Sequence, residues 1–83
     1  MPKESTKSKI PVFDIHQASF LEHNGIFPKL VLEGTRVVFE FDPSEAVYKL
    51  LRDYHNNPSI PILDYVNVLR RLRSRMLSMR GVA

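Results

Sequence analysis

Eighty-three residues with 43% apolar and 25% charged side chains suffice for one globular domain, and that balance excludes global disorder. Cysteine is absent, which excludes disulfides and thiolate-bound metal, two usual reinforcements of a small core. The net charge of +3 is uneven: Lys3, Lys7 and Lys9 against Glu4 give +2 over residues 1–9, four basic against seven acidic side chains give −3 over 10–60, and five arginines against Asp64 give +4 over 61–83.

Segment 1–9 holds Pro2, Ser5, Thr6, Ser8 and three lysines, with no large apolar side chain after Met1. It reads as a flexible basic tail, lacking the hydrophobic stretch of an export signal. No apolar run is long enough to cross a bilayer, so the expected compartment is the cytoplasm. A single α+β domain is expected over residues 10–80, with residues 81–83 fraying.

Asp14 is a helix N-cap, and Gln17 three residues on completes a capping-box pattern. Phe13 before the cap can staple onto Ala18. Gly25 after Asn24 supplies a left-handed stop from which Ile26 folds back on Leu21. These signals predict a helix from Ile15 to about His23, with Ile15, Ala18 and Leu21 facing inward.

Lys29–Leu32, then Glu33-Gly34-Thr35, then Arg36–Phe41 reads as a β-hairpin. Alternation places Val37, Phe39 and Phe41 on one face with Leu30 and Leu32, and Val38 with Val31 on the other. Asp42-Pro43-Ser44-Glu45 is a helix start with Asp42 as cap. Val47, Leu50, Leu51 and Tyr54 follow at i, i+3, i+4 and i+7, and Glu45 and Lys49 are spaced to pair. His55-Asn56-Asn57-Pro58 ends that helix. A last helix is expected from Ile60 or Pro61 into the high seventies. Ile62, Tyr65, Val66, Leu69, Leu72 and Met76 form its apolar face, and Arg71 and Arg75 lie opposite. The predicted order is helix, strand, strand, helix, helix, an antiparallel hairpin packed on helices.

A two-stranded sheet is marginal alone. Either Ile10–Phe13 adds a third strand, or two chains pair edge to edge or bury Val31 and Val38 together. The second solution also relieves the small core, and favours a homodimer. Phe20 and Tyr48 lie off the main stripes of their helices. With Val31 and Val38, they are the candidate interface residues, although aromatic residues off the stripe more often cover a second helix contact.

Catalytic and metal signatures are missing. Metal binding would have to come from His16, His23 and His55 with carboxylates, but His16 and His23 are seven apart, two turns along a helix, where zinc helices use i,i+4. There is no nucleophile elbow, no phosphate-cradling glycine loop and no His-Glu-x-x-His. No catalytic residue, metal site, cofactor or small-molecule ligand is therefore assigned. Arg70, Arg71, Arg73 and Arg75 are candidate nucleic-acid contacts. Arg71 and Arg75 share one helix face while Arg70 and Arg73 lie beside the apolar stripe, so the run wraps the helix. Ordinary solvated cations complementing a helix C-terminus, with Asp53 or Asp42 in reach, account for the same pattern.

Asp14, Ala18, Leu21 and Gly25 at their spacing, Val37-Val38-Phe39-Glu40-Phe41, and a terminal helix bearing Arg71-Leu72-Arg73 resemble a family of small prokaryotic proteins known as a domain of unknown function. The resemblance spans about residues 13–77 and implies a cytoplasmic, compact module; it carries no activity. The functional expectation is a non-enzymatic binding or assembly module, homodimeric through its hairpin edge or exposed apolar residues. The alternative is a nucleic-acid-binding accessory protein that uses the arginine-rich C-terminal helix.

Overall fold

The structure, a computed structural model, describes residues 9–81; most of the expected tail and the last two residues of the expected frayed end lie outside them. In chain order the elements are β1 (Ile10–Val12), α1 (Ile15–His23), β2 (Lys29–Glu33), β3 (Arg36–Phe41), α2 (Glu45–Tyr54) and α3 (Ile62–Met79). The predicted helices and hairpin are all present, and one strand precedes them.

That strand resolves the problem of the marginal hairpin. Ile10, Pro11 and Val12 pair antiparallel with Phe41, Glu40 and Phe39, so the sheet has order β1-β3-β2 with β3 central. Pro11 is tolerated because β1 is an edge strand, where a missing N–H breaks no ladder bond on its outer side. The hairpin closes through Gly34-Thr35, between paired Glu33 and Arg36. Gly34 has φ 63° and Thr35 is not left-handed, as in a type II′ turn with glycine first.

α1 is capped at both ends. The Asp14 carboxylate accepts the His16 backbone N–H at 2.8 Å. Gln17 does not return the bond, because its Nε2 lies 3.2 Å from His55 Nε2. At the other end Gly25, with φ 90°, lets Gly25 N–H donate to Glu22 O at 2.9 Å and Ile26 N–H to Leu21 O at 3.1 Å, the two bonds of a Schellman motif. The Phe13 ring is used otherwise than as the expected staple. It is more than half exposed and carries the Arg36 guanidinium 4.5 Å from its centroid.

α2 begins later than the cap at Asp42 predicts. Ser44 is the cap, its Oγ accepting Val47 N–H at 3.1 Å, while Asp42 meets the Lys9 ammonium. Lys49 pairs with Asp53 at 2.9 Å, one turn on from the expected Glu45. On α3 the buried stripe is also displaced. Val68 and Leu72 are buried, whereas Ile62, expected inside, is 72% exposed. The stripe thus centres on Tyr65, Val68, Leu72 and Met76.

The core joins Val12, Phe39 and Phe41 of the sheet to Ala18, Phe20 and Leu21 of α1, Val47 of α2, and Val68 and Leu72 of α3. α1 packs on both α2 and α3, and its residues 18–22 are all buried. Two of the candidate interface residues are buried, Phe20 in the second helix contact that aromatic residues off the stripe more often cover, and Val38 in the sheet. Phe20 lies in the core at 7% exposed, because α1 packs on both α2 and α3. Val38 is 1% exposed although it points away from Phe39. It lies on the central strand, with Val31 of β2 as its cross-strand neighbour, and is covered within one chain. Neither is an exposed interface residue. Leu32, expected inside, is 43% exposed at the end of the edge strand.

Candidate functional site

The basic run of α3 is partly consumed inside the fold. Glu22 of α1 has a side chain only 4% exposed, with Arg71 Nη2 at 3.5 Å from one carboxylate oxygen and Arg75 Nη1 at 3.7 Å from the other. The geometry follows from the displaced stripe. A residue three positions on is rotated by about −60°, so Arg71 borders Val68 and Arg75 borders Leu72. Both therefore reach Glu22 on α1 while their side chains stay at least half exposed. Asp53 and Asp42, the acids considered for this role, are engaged by Lys49 and Lys9. Arg70 and Arg73 are exposed and take part in no ion pair among the described residues. The four arginines thus divide into two structural and two solvated side chains.

Glu22 was not legible as a partner because a lone glutamate on a short helix reads as exposed. The usable signal was the i,i+4 spacing of Arg71 and Arg75, which suits a two-armed clamp on one carboxylate. The clamp leaves some polarity unsatisfied. Glu22 Oε1 and Ser19 Oγ are buried without a hydrogen-bond partner among the described residues.

A second polar group gathers where α1, the α2–α3 connection and α3 meet. His16 Nδ1 and Tyr65 Oη are 2.8 Å apart, and Tyr65 Oη donates to the His16 carbonyl at 3.4 Å. Their rings stack with centroids 6.3 Å apart. Phe20, Tyr54, His55 and Tyr65 border a shallow groove here. The Tyr65 phenol is pushed up from its ordinary value, chiefly by burial and further by Tyr54 and Asp14. Tyr54 is pushed up by burial and by Asp14. Both phenols stay protonated at neutral pH, and that of Tyr65 donates to the His16 carbonyl. His16 and His55 are tied to Tyr65 and Gln17, and among the described residues no three histidines or carboxylates converge as metal ligands.

The third surface is the outer edge of β2. Outside its ladder with β3, no backbone or side-chain hydrogen bond reaches residues 29–33 among the described residues. Beside this edge runs a groove of about 660 Å³ between β2 and α3, lined by Leu30, Met79 and Arg75 among others. Val31 is half-buried. Tyr48 remains 48% exposed, but it stands on α2, in a separate groove with Glu45 and Arg52. The expected interface residues are therefore not brought together; Val31 alone belongs to the β2 edge.

Three helices on one face of a three-stranded antiparallel sheet, with one edge open, define a small two-layer α+β domain. No helix among the described residues is long and apolar enough to cross a membrane. The chain belongs to the family described as Domain of unknown function (DUF5659), which it matches over residues 7–78. That match starts ahead of β1, so the strand is part of the family pattern. No curated protein and no solved structure matches the chain.

Proposed function

We propose that this domain is a non-enzymatic assembly module that binds through the outer edge of β2. The observation that carries this reading is the edge itself. A five-residue strand leaves its outward backbone groups unpaired beside Leu32, which is 43% exposed. Such an edge is a template for strand addition unless it is blocked. The opposite edge is blocked, since β1 has three residues and includes Pro11. Light scattering at micromolar concentration tests the reading; a mass of two chains is expected, and a strict monomer at all concentrations refutes it.

The nucleic-acid alternative retains Arg70 and Arg73 as cations clear of an ion pair among the described residues. Binding through those two would weaken with salt at a log–log slope of about −2, against about −4 for all four arginines. Absence of binding at low salt removes it.

A further inference from the structure

An open edge accepts any extended strand, but the residues of β2 favour one occupant. Resting on the assembly reading, we infer that a second copy of this chain pairs its own β2 with this one, antiparallel about a two-fold axis at Val31.

The strand reads Lys29-Leu30-Val31-Leu32-Glu33, which is charge-complementary to its own reverse. With the axis at Val31, Lys29 stands opposite Glu33 of the partner subunit, and Leu30 opposite Leu32 of the partner subunit. Within one chain Lys29 already faces Glu40, and Glu33 faces Arg36. The outer face of the joined sheet then carries a row from Arg36 to Glu33 to the partner's Lys29 to the partner's Glu40, alternating in sign at every step. Opposite charges directly across strands are favourable, and like charges are not.

The hydrogen-bond phase agrees. In a two-residue hairpin the closing pair, here Glu33 and Arg36, exchanges both of its bonds. Alternation then turns the N–H and C=O of Lys29, Val31 and Glu33 toward β3, and those of Leu30 and Leu32 toward the open side. These are the groups that meet when Leu30 faces the partner's Leu32. A one-residue slip sets core-facing Leu30 opposite outward-facing Val31 and breaks the continuity of both faces. A two-residue slip loses both charge pairs. The pairing also covers Leu32, which the single chain leaves 43% exposed.

The chain contains no cysteine, so Val31→Cys introduces a single thiol. At a non-hydrogen-bonded pair the Cα atoms stand about 4.5 Å apart, within disulfide range. Oxidation is expected to convert Val31→Cys to a covalent dimer and to leave a Thr35→Cys control largely monomeric. Lys29→Glu or Glu33→Lys alone should weaken association about tenfold, and the two together should restore it. Leu32→Pro, which removes a donor from the open side only, should abolish the dimer while preserving the circular dichroism spectrum. A native chain that stays monomeric up to its solubility limit overturns both this pairing and the assembly reading. A dimer that Val31→Cys does not cross-link and that the charge series does not weaken overturns the pairing alone, and assigns assembly to another surface.

Discussion

Removing both arginines that hold Glu22 should destabilise the domain far more than removing either. The carboxylate is 4% exposed, whereas the side chains of Arg71 and Arg75 are 60% and 50% exposed. At 3.5 Å and an effective dielectric of about 20, one unit pair is worth roughly 4–5 kcal/mol before desolvation. Desolvation of the buried carboxylate and solvent screening of the arginine heads reduce the net gain to about 1 kcal/mol per pair. Arg71→Ala should therefore cost about 1 kcal/mol, since Arg75 still holds the charge. The double variant leaves a buried carboxylate with neither arginine, a cost of about 3 kcal/mol. For a domain of this size that lowers Tm by roughly 12–24 °C. Adding Glu22→Gln to the double variant should recover most of the loss, because the charge that required pairing is gone. Urea and thermal unfolding followed by circular dichroism read all four stabilities. The reasoning is refuted if the triple variant is no more stable than the double, or if the double costs no more than Arg71→Ala.

Phe20→Ala should cost about 3–5 kcal/mol by removing a buried ring, while Tyr48→Ala should fall within about 0.5 kcal/mol; equal effects in denaturant titration would contradict the burial of Phe20. Gly25→Ala should destabilise by about 1–2 kcal/mol through left-handed backbone strain alone, since a Cβ there meets nothing within 4 Å; an unchanged unfolding midpoint would contradict this. Because the Tyr54 and Tyr65 phenols titrate higher when folded, the stability they contribute is fully present below pH about 10, the unfolded value. It declines as pH rises through the folded values. Tyr65→Phe should flatten that alkaline decline, measured as unfolding free energy against pH, and an unaltered slope would exclude Tyr65 as a source.

Local chemistry made much of this fold legible along the chain. Asp14 and the Asn24-Gly25 stop delimit α1 through backbone bonds that close within a few residues, and Gly34 closes a hairpin whose alternation is written into residues 36–41. Which side of a helix is buried is less local. A face pattern identifies a stripe only when one side is covered, and α1 is covered on several, so Phe20, Ser19 and Glu22 escaped it. The rotation of α3 toward Val68 arises from how it lies against α1, and that rotation carries Arg71 and Arg75 to Glu22.

By itself the sequence determined the kinds of element and most of their ends, because caps, turns and alternation act between near neighbours; Glu33, expected in a three-residue turn, instead extends the strand to Lys29–Glu33 and pairs with Arg36. Tertiary structure alone decided that Ile10–Val12 joins β3, that Val38 is covered within one chain, and that one sheet edge stays open. The pairing of β1 with β3 joins residues more than twenty positions apart, and no local pattern specifies which distant surfaces meet.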